Sequence, residues 1–181
     1  MANALLSADL IGAFAESGVA GHQYFAMHGI DLSPYSFGLL YGANDTRAPD
    51  TPTPTYYALT LWAAMGERVL RVEQSADART GLSSYATSKA DGSVQVLSIN
   101  KAAQSTRVAL SLAGLRAAPR QVSISVLSPK GDRASRDVTL NGVDNPQVDA
   151  LPPPRVTTTS QPKFEYAVPA YSIVLVSLAS G

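Results

Sequence analysis

His22 and His28 are the only two histidines in the 181-residue chain. They stand six residues apart, and on an extended strand an even spacing turns both side chains to one face. Together with Asp31 they form a set that could bind a metal or move a proton. These three are the candidate catalytic residues, weighed against a plain packing role for each histidine. No metal ion or cofactor is expected. Tyr35 and Tyr41, further along the same loop, are the candidate substrate-binding residues. An aromatic ring face suits the apolar C–H side of a sugar ring.

The other reactive groups lack the context their chemistry needs. The glutamates are Glu16, Glu67, Glu73 and Glu165. Retaining glycoside hydrolysis needs two carboxyl groups about 5 Å apart, and nothing in the spacing of these four places any two together. They read as solvated surface charges. Ser98-Ile99-Asn100-Lys101 and Ser160-Gln161-Pro162-Lys163 both satisfy S-x-x-K. That motif works when the serine opens a helix, and neither serine does. There is no G-x-S-x-G elbow and no G-x-G-x-x-G after a strand. Asp45, Asp50, Asp91, Asp132, Asp144 and Asp149 lie in loops, without the regular spacing of a calcium-binding loop. With no cysteine in the chain, disulfides, zinc–thiolate sites and thiol nucleophiles are excluded.

Composition narrows the partners. Apolar residues make up 45% and charged residues 15%, which gives enough apolar surface for a packed core. Lys plus Arg and Asp plus Glu number 14 each. A neutral chain carries no long-range field for nucleic acid or an anionic membrane, and neither partner is expected. No apolar run reaches the roughly 18 residues of a membrane span. The start, Met1-Ala2-Asn3-Ala4-Leu5-Leu6, has no basic region, and Asp9 breaks its apolar run; it does not read as a signal peptide.

The elements that would position these residues fall into two parts, 1–73 and 74–181. Ala4 to Glu16 has helical spacing at Leu5, Leu6, Leu10, Ile11 and Phe14, with Gly18 as a stop. Val19 to Met27 reads as a buried strand, and residues 30 to 52 as a long loop. Thr53 and Pro54 open a second helix as N-cap and first helical residue, and the apolar spacing extends it towards Val69. After Glu73 the period changes to two. Gly81–Ser88, Val94–Asn100, Ser105–Leu112, Val122–Leu127, Ser135–Leu140, Phe164–Val168 and Tyr171–Leu178 are expected strands. Asp91-Gly92, Lys130-Gly131-Asp132 and Asn141-Gly142 are expected turns. Leu151-Pro152-Pro153-Pro154 lacks backbone donors and reads as an extended crossover. The fold class is mainly β: an antiparallel β-sandwich preceded by a helix–strand–loop–helix piece of an α/β layer.

Several phrases resemble the C-terminal part of retaining glycoside hydrolases of the α-L-arabinofuranosidase, β-xylosidase and endoglucanase type. They are Ala4-Leu5-Leu6-Ser7-Ala8-Asp9, Gly12-Ala13-Phe14, Gly18-Val19, Gln23-Tyr24-Phe25, Pro54-Thr55-Tyr56-Tyr57-Ala58-Leu59, Val96-Leu97-Ser98-Ile99-Asn100-Lys101 and Val168-Pro169-Ala170-Tyr171-Ser172-Ile173. Their order and spacing agree over nearly the whole chain. The resemblance implies that residues 1–73 are the end of a (β/α)8 barrel and 74–181 a C-terminal sandwich. Val19 to Met27 would then be the eighth barrel strand, with His28 at the barrel mouth. It also implies that the general acid and nucleophile lie on earlier strands, outside this chain. A lone barrel strand leaves backbone groups unpaired, so a homo-oligomer or a separate barrel portion is the expected partner.

Three functional expectations follow. The first is an accessory, structural part of a glycoside hydrolase acting on plant-type oligo- or polysaccharide. The second is a carbohydrate-binding sandwich, which would need open aromatic faces among Tyr85, Phe164, Tyr166 and Tyr171. The third is a small ester hydrolase with a site formed on oligomerisation around His22, His28 and Asp31.

Overall fold

The computed structural model describes residues 1–29, 38–43, 45, 47–75, 81–111, 121–161 and 163–179. Two helices come first. Helix α1 spans Ala2–Glu16 and buries Ala4, Leu5, Ala8 and Gly12 on one side. Leu6 and Leu10 face outward, 58% and 39% exposed. The helix stops at Gly18, whose φ of 73° suits glycine. Helix α2 spans Pro54–Ala63 and starts as its sequence suggests, with Thr53 as N-cap and proline in the first turn. The Thr53 hydroxyl does not cap it; it donates instead to the carbonyl of Gly38 at 3.0 Å.

The second helix is shorter than its apolar spacing predicts. Val69 belongs not to α2 but to strand β1, Arg68–Leu70, which pairs antiparallel with β2. Gly66 permits the change of direction. A Cβ there would sit 2.3 Å from the carbonyl oxygen of Ser88, so only glycine lets the chain pass so close to the sheet.

The strands are β2 Leu82–Ser88, β3 Val94–Asn100, β4 Thr106–Ser111, β5 Gln121–Pro129, β6 Val138–Leu140, β7 Val143–Asp144, β8 Arg155–Thr158, β9 Lys163–Val168 and β10 Ile173–Ala179. The large sheet runs β1-β2-β3-β10-β5-β6-β7, with β8 also on β5; β4 and β9 form a second, two-stranded sheet. Every strand pair is antiparallel. The seven expected strands are all present among the described residues. The short β1, β7 and β8 carry too little pattern to be read from sequence. Asn141 and Gly142 form the two-residue β6–β7 turn with φ values of 51° and 85°. Asn141 also donates to the carbonyls of Pro152 and Pro153, each at 3.0 Å, and accepts from the Val126 amide. One side chain thus holds the proline crossover against β5.

Strand alternation divides the core in two. On one face of the large sheet, Leu97, Ile99, Leu127, Leu140, Ile173 and Leu175 pack against Leu5, Ala8, Tyr57 and Leu61 of the helices. On the other, Val122, Ile124, Val174, Val176 and Leu178 pack against Tyr166 and Val168 of β9. β10 is therefore buried on both faces, which explains its unbroken run Ile173-Val174-Leu175-Val176. The core on the helix face is built from residues on both sides of position 73.

Val19–Met27, expected as a buried strand, is not one. Residues 19 to 26 belong to no regular element, and Val19, Phe25 and Met27 are 47%, 81% and 60% exposed. Among the described residues the segment is held at its two ends: the Val19 amide donates to the carbonyl of Phe14, the amides of Leu39 and Leu40 donate to the carbonyls of Ala26 and Met27, and that of Gly29 to Leu40. The physical reason is the lack of neighbours. A strand buried on both faces in a parallel layer needs a strand on either side, and no described residue pairs with Ala20 to Phe25.

Candidate functional site

His28 lies where this segment meets the next stretch of chain, in a parallel bridge with Leu40, which bridges Pro52 on its other side. Tyr41 continues the ladder: its amide donates to the carbonyl of Thr51, and the Asp50 amide donates to the carbonyl of Tyr41. This brings Asp50 beside His28, with 2.6 Å between Nε2 and Oδ1. Asp50 holds a φ of 65°, a conformation that costs a non-glycine residue about 1 kcal/mol or more. The pair is exposed to solvent. Its geometry is that of an imidazole oriented by a carboxylate.

The other predicted members do not join it. His22 is exposed and rests against Phe14, with ring centroids 5.4 Å apart. Asp31 and Tyr35 lie outside the described residues. Among the described residues, no serine hydroxyl or second carboxylate is bonded to the His28–Asp50 pair. No group of three or more His, Cys, Asp or Glu side chains among them could hold a metal ion.

Tyr41 is not the open stacking surface its loop position suggests. It is 1% exposed, with the guanidinium groups of Arg47 and Arg136 at 5.3 and 4.8 Å from its ring centroid. Arg47 donates to Asp137 at 2.6 Å and Arg136 to Asp45 at 2.7 Å. Two crossed ion pairs around one buried ring fasten the segment carrying Asp45 and Arg47 to the β5–β6 connection. The hydrogen bond from Arg47 holds the Asp137 carboxyl below the usual carboxylate range.

The remaining candidates also have structural partners. Glu73 faces Arg71 and Glu165 faces Arg107, all of them largely exposed. Ser98 does not meet Lys101; its hydroxyl bonds the phenol of Tyr166 at 2.7 Å, and burial pushes that phenol up to about 12. Tyr85, Phe164, Tyr166 and Tyr171 all pack on one core or the other, so none offers an open platform for a sugar ring.

One cluster has no motif in the sequence. Lys101 Nζ donates to Asp9 Oδ2 at 2.7 Å and to the Ser83 hydroxyl at 2.8 Å, while the Tyr85 phenol donates to Asp9 Oδ1 at 2.8 Å. Burial opposes charge on Asp9, but the hydrogen bonds from Lys101, Tyr85 and Ser83 outweigh it and lower its pKa. Burial and then the bond to Asp9 push the Tyr85 phenol up. A carboxylate already neutralised by lysine is a poor general acid; the cluster fixes α1 to the sheet. The one visible signal was Asp9 interrupting an apolar helix.

No family model and no curated protein matches the sequence. Solved structures do match its fold. An arabinose-bound GH51 α-L-arabinofuranosidase superposes on 98% of this chain with a TM-score of 0.70 at 14% identity. A family 30 subfamily 8 xylanase from Clostridium acetobutylicum covers 99% at TM-score 0.64 and 16% identity. A GH51 arabinofuranosidase from Xanthomonas axonopodis pv. citri covers 97% at TM-score 0.61 and 18% identity. The chain has the fold of part of a glycoside hydrolase. It spans 27%, 39% and 35% of those three chains, respectively.

Proposed function

We propose that this chain is the C-terminal accessory portion of a carbohydrate-active glycoside hydrolase, and that the catalytic carboxylate pair comes from outside it. Residues 1–73 then correspond to the end of the barrel and 74–181 to the sandwich that buttresses it. The observation that carries this reading is the segment before the sandwich. Ala20 to Phe25 forms no backbone hydrogen bond to another described residue, and Val19, Phe25 and Met27 in and around it are exposed. A barrel strand without its neighbours has these properties. The full-length superposition on one part of much longer hydrolases supports it. In this reading the His28–Asp50 pair stands at the rim of the barrel mouth, beside the path of a plant-type oligo- or polysaccharide.

The test is turnover of aryl α-L-arabinofuranoside, β-xyloside and β-cellobioside by the purified chain. The expected result is none above buffer. Glycoside turnover that co-purifies with the chain and is lost in Glu16→Gln would overturn the reading and place a catalytic carboxylate inside it.

A further inference from the structure

Side chains on the helix face of the large sheet fall into cross-strand rows. The first is Ile99–Ile173–Leu127, the second Leu97–Leu175–Ser125, and the third Thr87–Gln95–Ser177–Ser123. The first two rows lie largely under the helices and are almost wholly apolar. The third lies past the end of α2; it is polar across β2, β3, β10 and β5, and Val69 of β1 and Val156 of β8 flank it. Serine is not a strand-favouring residue, yet three serines occupy neighbouring inward positions on the central strands β5 and β10.

Gln95, Ser177 and Ser123 of this row line a cavity of about 400 Å³, within the roughly 300–1,000 Å³ of small-ligand pockets. Ser123, Ser125 and Ser177 are half-buried in it. None of their hydroxyls hydrogen-bonds to another described residue. Each has one donor and two acceptor positions, and sheltered polar groups of this kind are normally satisfied. Gln95 is the opposite case. It is 1% exposed, and its amide is fixed by Ser93, which accepts from Nε2 at 2.9 Å, and by Thr87, which donates to Oε1. Among the described residues, one N–H of this amide has no partner, and it lines the same cavity as the three hydroxyls. Lys89 and Asp91 stand at the rim with opposite charges, while Ala64, Pro154 and Leu175 supply apolar wall.

We propose that this cavity is a binding site for a neutral carbohydrate of one or two sugar units. Sugar hydroxyls both donate and accept, matching the three serines and the Gln95 amide, and the C–H faces of the ring match the apolar wall. The balanced rim charges select neither an anion nor a cation. The site lies on the sandwich, uses no aromatic platform, and involves neither His28 nor the barrel mouth. It rests on the carbohydrate-active reading above and adds a second place where sugar is held.

The experiment is amide NMR of the whole isotopically labelled chain, titrated with arabinose, xylobiose and cellobiose into the tens of millimolar. At least one sugar should shift the Gln95 side-chain amide and the backbone amides of Ser123 and Ser177. The Ser123→Ala/Ser177→Ala double variant should bind it about tenfold more weakly, with its spectrum otherwise intact. No shift with any of the three sugars, shifts centred elsewhere, or shifts unchanged in the double variant would each overturn the site. Failure here is separable from failure of the accessory reading. A silent cavity in an inactive chain removes only the cavity, and a responsive cavity in a chain that hydrolyses glycosides removes only the accessory reading.

Discussion

Gly12 sits in the middle of α1, where glycine costs a helix about 1 kcal/mol relative to alanine. It survives there because of Tyr85. A Cβ at position 12 would meet the Tyr85 ring at 2.4 Å. That ring has little freedom to retreat. Its phenol is bonded to the Asp9 carboxylate and main chain, and its other neighbour, Trp62, is held by its indole N–H on the carbonyl of Ala8. Overpacking of this kind costs about 1–3 kcal/mol, which exceeds the propensity gained. Gly12→Ala should therefore lower the thermal midpoint by several degrees. Gly21→Ala, with nothing within 4 Å of the added Cβ, should leave it nearly unchanged. Equal midpoints for the two variants would mean that the ring gives way and that α1 is not seated on Tyr85.

At the scale of elements, α1 is joined to the sheet by the Asp9–Lys101 pair as well as by its apolar face. Asp9 has a lowered pKa when folded, so its contribution is fully present above the unfolded value of about 3.9. That contribution is lost as pH falls through the lower folded value. Asp9→Asn keeps an acceptor for Tyr85 but removes the charge facing Lys101. The variant should be less stable than the parent by about 1 kcal/mol at neutral pH, given partial solvent screening. In denaturant titrations the gap should close as pH drops through the carboxylate range; a gap independent of pH would show that charge pairing is not what Asp9 supplies. Asp9 also marks the limit of what sequence reveals. Strands β2, β3, β5 and β10 were legible because alternation and turn residues are local signals. The Asp9–Lys101 contact joins residues 92 positions apart, and nothing near either residue announces the other. The same holds for Asp50 beside His28. Val19–Met27 departs from its sequence pattern for a complementary reason: its composition suits a buried strand, but burial depends on neighbours that local pattern cannot supply. Tyr41 looked available because it lies in a loop, while the two arginines that cover it come from residue 47 and from residue 136.

At the scale of the whole molecule, the apolar surface is unevenly covered. The short strands β1, β7 and β8 each leave one valine exposed, at 45–53%, whereas Leu6 and Leu10 of α1 and the following Val19, Phe25 and Met27 are exposed close together in sequence, Phe25 at 81%. Apolar side chains left outside a well-packed domain mark an association surface, and the backbone from Ala20 to Phe25, which pairs with no other described residue, adds hydrogen-bonding groups that another strand can satisfy. The chain by itself should therefore associate through this face. Its mass in solution should rise with concentration, and Phe25→Ser/Met27→Ser should shift it back towards a single chain. The thermal midpoint measured at low concentration should not change, because neither side chain contributes to the core. The same double variant discriminates among causes. If it stays associated, the contact lies elsewhere, the open edges of β4 and β9 being the next place to look. If the parent chain is a single chain at every concentration, solvent alone is enough for the exposed segment, and the expectation that another polypeptide covers it fails.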